Sequence, residues 1–494
     1  MELCETPAML TRSASELATA IREQTVSSRE VVEAHIERIR AVDPVLNAVV
    51  EDRFDAALKE ADAADTAVAD AVADAAAGAA GDGLDALPPL HGVPCTIKEV
   101  FALPGFRQTS GLVSRRDFVA TEEATSVTRL RQAGAIVMAS TNVSELCMWM
   151  ETSNKLYGRT NNPYDPKRIV GGSSGGEGAI VGSGASPFGL GSDIGGSIRM
   201  PAFFNGVFGH KPTGGLVPGS GQYPLAENDA LRYLCTGPIA RRAEDLMPLL
   251  RILAGPDGID TGCYEQRLGE PDDVDVSGLR VLDVRGNGFR RVSRELSESQ
   301  ERVSRALAER GADVRRTRIE TLKRSLDLWA SMMADAADTT FAELLGDGTR
   351  IRAGRELARM ATRRSDHTLP ALGLAVLERG AALMPGRQRR FVEMGRRLSE
   401  ELETLLGPNG VMLYPSYTSV APRHHTPLLL PINWIYTAIF NVAELPVTQV
   451  PLGLNGKGLP LGIQVASARG NDHVTIAVAR ELERSFGGWR MPPL

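Results

Sequence analysis

Two glycine-rich turns constrain this chain more than any other feature. The first reads Gly171-Gly172-Ser173-Ser174-Gly175-Gly176. The second reads Gly191-Ser192-Asp193-Ile194-Gly195-Gly196-Ser197-Ile198-Arg199, so that Ser173 and Ser197 lie 24 residues apart. Glycine lets backbone approach a neighbouring group closely and adopts dihedrals closed to other residues. Such turns can therefore bring hydroxyls and backbone N–H groups to one point. A lysine, Lys98, stands upstream in the run Val93-Pro94-Cys95-Thr96-Ile97-Lys98-Glu99.

Glycine-rich turns also cradle phosphates. Here Glu177 stands where a P-loop needs lysine, and Gly189-x-Gly191 lacks the third glycine of a dinucleotide fingerprint. The residue types suit amide cleavage instead. That chemistry needs a nucleophile, a base, donors for the developing oxyanion and an acid for the leaving nitrogen. Ser197 is the candidate nucleophile. The glycines ahead of it allow the N–H groups of Ile194, Gly195, Gly196 and Ser197 to converge on one oxygen. Lys98 is the candidate base, since desolvation among Val93, Ile97 and Val100 lowers a lysine pKa. Ser173 can relay a proton between the two. Asp193 and Arg199 flank the nucleophile and read as an ion pair that fixes the turn.

Composition excludes several other classes. A net charge of −6 disfavours a nucleic-acid surface. Five scattered cysteines without a Cys-x-x-Cys pair suit a reducing compartment and predict neither a disulfide framework nor a zinc site. The adjacent pair His424-His425 points its side chains apart on any regular element, so it is not read as a metal site. The N-terminus lacks the pattern of a signal peptide. No apolar run reaches the roughly 18–20 residues of a membrane span. The expectation is a soluble, cytoplasmic protein.

Apolar spacing predicts helices over 13–41, with Ser27 or Ser28 as a cap and Glu30 close behind. A longer Ala-rich helix is expected over 48–77 and a connector from Gly78 to Pro89. From 90 to 250, short apolar runs such as 135–139 alternate with glycine turns and helical stretches, the texture of α/β layering. A seam is placed near 255–278. Strands follow at 279–284 and 311–319, around a helix at 294–310. Residues 321–405 read as helical, and residues 280–405 hold 24 arginines and one lysine, Lys323. Strands return at 411–414, 446–450 and 461–465, and a helix over 472–486 closes the chain.

Gly171–Gly178, Gly191–Pro201 and Phe208-Gly209-His210-Lys211-Pro212-Thr213 resemble the hallmark segments of the amidase signature family. The resemblance covers residues 13–490. Within that family, Ser144–Trp149, Asn161–Asp165, Pro201–Gly206 and Gly458–Val465 resemble the fatty-acid amide hydrolases of the second type. The resemblance implies an α/β fold, a twisted mixed β-sheet core covered on both faces by helices. It implies one domain over 1–494, with an N-terminal helical segment at 13–77 and a helical, arginine-rich subregion at 294–405. It assigns the base to Lys98, a cis-serine relay to Ser173 and the nucleophile to Ser197, with no metal or organic cofactor. Membrane-bound relatives carry an N-terminal span that this sequence does not show.

By the same resemblance, Cys147, Met148 and Met150 line an acyl pocket. Phe203, Phe204, Trp329, Met332, Met333, Ile432, Trp434 and Ile435 are further candidates, with core packing as the alternative. The implied partner is a small-molecule amide with an apolar acyl group; a homodimer is left open. The arginine-rich region, where Leu369, Leu372, Leu374, Leu377, Leu383 and Met384 precede Arg387, Arg389 and Arg390, reads as a solvated helical surface. Its alternative is an amphipathic cap on anionic lipid. Two other functions stay in view. One is the glutaminase component of a tRNA-dependent amidotransferase, against which the apolar Cys147–Met150 segment speaks. The other is a binding protein with a dead site, against which the presence of Lys98 and both serines speaks.

Overall fold

The computed structural model describes residues 9–76, 83–382 and 385–494. Leu383, Met384 and part of the predicted connector lie outside the described residues. The strands in the first half of the chain are β1 (Val49–Asp52), β2 (Pro94–Lys98), β3 (Ile136–Thr141), β4 (Ser153–Asn154), β5 (Gly158–Arg159), β6 (Phe188–Asp193), β7 (Phe208–Lys211) and β8 (Cys235–Ala240). The second half adds β9 (Arg280–Asp283), β10 (Asp313–Arg316), β11 (Gly410–Tyr414), β12 (Val447–Leu454) and β13 (Pro460–Ser467).

Eleven of them form one mixed sheet in the order β1-β3-β2-β6-β8-β7-β12-β13-β11-β9-β10, while β4 and β5 make a separate ribbon. The sheet runs across the seam expected near 255–278, because β7 pairs with β12. Helices flank it. The expected α/β architecture is thus observed.

The N-terminal helices Ala14–Arg22 and Ser28–Leu46 begin at Ser13 and Ser27, each closing a reciprocal capping box, with Glu16 and Glu30 respectively. The Ala-rich helix begins later than its composition predicts. It spans Phe54–Ala76, because Val49–Asp52 instead adds an antiparallel edge strand to β3. Two adjacent valines favour a pleated edge over a helical turn. Helix propensity reads only local sequence, and the vacant sheet edge overrides it.

Three adjacent strands, β3, β2 and β6, run parallel. Every residue of β2 and β6 is buried, as expected for strands of a parallel stretch covered on both faces. Their register pairs Thr96 with Gly189 and Ile97 with Leu190. Lys98 therefore ends β2 beside Ser192, near the end of β6. The carboxyl edge of parallel strands is where open α/β sheets place their sites.

The core divides around this edge. The largest apolar cluster joins Ile97, Leu190, Phe203 and Phe204 to Val450 and Ile463. A second cluster gathers Leu328 and Met332 with Leu398, Leu402, Ile435 and Phe440. Met332, Ile435, Phe203 and Phe204 are each at most 4% exposed and pack within these clusters. Phe204 packs edge-on against Tyr417 with centroids 5.2 Å apart. The arginine-rich helices carry many ion pairs, including Arg387 to Asp327 at 3.0 Å and Arg359 to Glu356 at 3.4 Å.

Candidate active site

Lys98 is fully buried. Its Nζ lies 2.7 Å from Ser173 Oγ and 3.0 Å from Ser192 Oγ. Burial lowers its pKa from the ordinary lysine value. The neighbouring Cys147, Asp193 and Glu177 side chains oppose that shift. A neutral amine in this position has a lone pair to offer one hydroxyl and hydrogens to offer the other.

Ser173 precedes the helix Gly175–Gly182 and follows a cis Gly172–Ser173 peptide bond. The turn fits only because it is glycine-rich. A Cβ at Gly172 would collide with the Trp149 carbonyl. Ser174 ties the two turns together, since its N–H donates to the Ser197 carbonyl at 3.2 Å. Ser173 is fully buried, whereas Ser197 is 7% exposed. Among the described residues, the Ser197 hydroxyl has no hydrogen-bond partner. Catalytic contacts of this kind commonly tighten only when substrate binds.

The turn carrying Ser197 is held from outside by three carbonyl contacts. Asn441 Nδ2 donates to the Asp193 carbonyl at 2.7 Å, Trp329 Nε1 to the Ile194 carbonyl at 2.9 Å and Thr437 Oγ1 to the Gly195 carbonyl at 2.6 Å. Fixing these carbonyls outward fixes the peptide planes that carry the N–H groups. Gly196 has φ of 123°, and a Cβ there would collide with Thr437. The Gly196 N–H already donates to Asp193 Oδ1 at 2.7 Å. Those of Ile194, Gly195 and Ser197 have no partner among the described residues.

Asp193 and Arg199 form the ion pair read from the sequence, both fully buried. All five guanidinium N–H groups are used. Nε and one Nη2–H go to Asp193 at 3.0 and 2.9 Å, and the other Nη2–H to Asn441 Oδ1 at 2.7 Å. Nη1 donates to the Thr437 carbonyl at 2.8 Å and to Gln464 Oε1 at 2.9 Å. Burial by itself would raise the Asp193 pKa. The Arg199 charge and the hydrogen bonds from Arg199 and Asn441 overcome it and hold the carboxyl well below the usual carboxylate range. Arg199→Ala would leave that buried charge uncompensated. The expected loss in denaturant unfolding is about 3–5 kcal/mol.

Glu177, which the sequence offers only as a broken P-loop position, lies under this site. It accepts hydrogen bonds from Thr96 Oγ1 and Thr141 Oγ1, both at 2.7 Å. Burial pushes its pKa up to about 8, against the pull of those hydrogen bonds and of Lys98. A raised carboxyl pKa stabilises the fold fully below the ordinary glutamate value of 4.5, and that stabilisation is lost as pH rises towards 8. The stability difference between Glu177→Gln and the wild type is therefore expected to grow in favour of the variant over this window. The change is on the order of a few kcal/mol, followed by a plateau. Thermal unfolding in a pH series checks it; a flat difference counts against the buried acid.

Ser192, Trp329, Thr437 and Asn441 hold or touch the site, yet the sequence marks none of them for that role. Trp329 and Trp434 meet edge to face, 4.8 Å between centroids, and both rings come within 4 Å of where a Gly195 Cβ would stand. By residue type alone they are no more than pocket candidates. Cys147 and Met148 are half-buried and Met150 is buried, all on the loop that follows β3.

The family model described as Amidase matches residues 30–476. The chain belongs to the amidase family. Fatty-acid amide hydrolase 2-A of Danio rerio is 46% identical to this amidase over 495 residues, covering 98% of the chain and 90% of that protein. Fatty-acid amide hydrolase 2 of Homo sapiens is 45% identical over 498 residues, covering 99% and 91%. Among solved structures, 6-aminohexanoate cyclic dimer hydrolase has the same fold. Its TM-score is 0.78 at 26% identity, covering 98% of this chain and 99% of that one. This amidase is thus an amide-hydrolysing enzyme close to fatty-acid amide hydrolase 2. Among its described residues no helix is long and apolar enough to cross a membrane.

Proposed function

We propose that this amidase cleaves amides with apolar acyl groups through Ser197, Ser173 and Lys98. The observation that carries the reading is the buried Lys98 amine 2.7 Å from Ser173 Oγ. Ser197 Oγ attacks the amide carbon while its proton passes to Ser173, whose own proton passes to Lys98. The oxyanion is stabilised by the N–H groups of Ile194, Gly195 and Ser197, with the Gly196 N–H shared with Asp193. The relay then runs backwards. Lys98 returns a proton through Ser173 to the leaving nitrogen, and the C–N bond breaks. Water, deprotonated along the same path, releases the acid from Ser197.

Two facts favour Ser197 over Ser173 as nucleophile. Of the two, only Ser197 retains exposure to solvent, and its turn presents the N–H groups of Ile194, Gly195 and Ser197 without partners among the described residues. The acyl group is placed against Cys147, Met148 and Met150. Met148 abuts the apolar cluster of Phe341, Ala342 and Leu345, and thioether side chains adapt to loosely specified apolar ligands.

The test is hydrolysis by the purified protein of acyl anilides and primary amides of graded chain length, beside glutamine. Faster turnover of the apolar amides is the expected result. Turnover confined to glutamine would overturn the acyl reading and favour the glutaminase alternative.

A further inference from the structure

The loop assigned to the acyl group is not a regular element. It contains a short 3-10 turn, Glu145–Cys147, in which Leu146 and Cys147 have φ of 50° and 60°. Residues other than glycine seldom hold such angles unless surrounding structure imposes them. The imposing structure is found at both ends of the loop, and at each end it is a carboxylate held by a histidine.

At the first end Glu145, 2% exposed, lies 2.8 Å from His367 Nδ1 and accepts from the Thr368 N–H at 2.7 Å. At the second end Glu151, 5% exposed, lies 2.7 Å from His424 Nδ1 and accepts from the His425 N–H at 3.2 Å. Arg159 Nε adds an ion pair to Glu151 at 3.3 Å. His424 Nε2 faces the Pro166 carbonyl at 3.0 Å. The two histidines come from chain regions 222 and 273 residues away from their glutamates. His367 precedes the helix Leu369–Ala382 of the arginine-rich region.

We infer that the pairs Glu145–His367 and Glu151–His424 are positioning residues that clamp residues 146–150 at both ends and thereby set acyl-chain selectivity. The inference rests on the assignment of Cys147, Met148 and Met150 to the acyl group. Charge-assisted hydrogen bonds in a buried setting are directional and strong enough to hold strained backbone. Loosening either end lets Leu146 and Cys147 relax, which moves the wall the acyl chain meets.

The experiment compares His367→Ala and His424→Ala with His367→Asn and His424→Asn, in which the amide keeps a donor near the Nδ1 position. Each is assayed for kcat and KM on anilides of short and long acyl chain, and for labelling of Ser197 by a small alkyl fluorophosphonate. In each alanine variant the long-to-short ratio of kcat/KM is expected to shift by about tenfold, mainly through KM, and the asparagine variants restore it. Labelling rates stay within about twofold of wild type. Equal losses on both chain lengths, or an unchanged ratio, would overturn the inference. If an alanine variant does not fold, Glu145→Gln or Glu151→Gln, which keeps size and removes charge, is scored in its place by the same ratio. Met148→Ala and Met150→Ala separate the two levels. A ratio that moves in these but not in the histidine variants defeats the clamp alone; a ratio that moves in none defeats the acyl assignment with it.

Discussion

Ser197→Ala is expected to lower turnover by at least about 10⁴-fold and to abolish fluorophosphonate labelling, with little change in thermal stability. The side chain lost is one hydroxyl without a hydrogen-bond partner among the described residues, so its removal leaves no buried group stranded. The turn around it is held by Asp193, Arg199, Asn441, Thr437 and Trp329 through contacts that do not involve the Ser197 side chain. Loss of rate with a retained fold separates a nucleophile from a structural serine. Wild-type turnover in Ser197→Ala would sink the assignment and return Ser173 as the candidate.

Lys98→Ala has the second-largest expected effect, a fall in acylation of about 10²–10⁴-fold. The base must be neutral to take a proton, so the wild-type rate climbs as pH rises through the Lys98 pKa. Burial has moved that pKa down from the ordinary lysine value. The climb therefore comes at lower pH than an exposed lysine would give. In Lys98→Ala this limb of the pH–rate profile should disappear and leave a low, flatter curve. Single-turnover measurements on an anilide across a pH series check both points. A profile unchanged in shape would mean that another group accepts the proton from Ser173.

The two effects differ in kind. In the proposed mechanism Ser197 forms and breaks bonds, a role that nothing nearby replaces, whereas Lys98 moves a proton, which water can do poorly. Residual activity in the second variant but not the first is thus the pattern the geometry predicts.

Several features were legible in the order of residues alone. Ser173, Ser197, Lys98 and the Asp193–Arg199 pair stand in local patterns whose chemistry is written in residue type and short spacing. A buried strand such as β3 shows as an apolar run, and the capped helix at Ser28 announces its start with Ser27. These depend on interactions over a few residues, which sequence records directly. What only the tertiary structure decided depends on contacts between distant segments. Helical composition around residue 50 yielded to a vacant sheet edge. Ser192 reached Lys98 through strand register. Thr437, Asn441 and Trp329, each more than 130 positions from the turn they hold, came to it only when the C-terminal strands closed the sheet. Which apolar neighbours surround Phe203, Phe204 and Met332 was likewise decided by packing. A side chain's chemistry is fixed by its identity, but its partners are fixed by the path of the whole backbone. That is why the amide-hydrolysing class of this chain could be read along it and the partners of its distant segments could not.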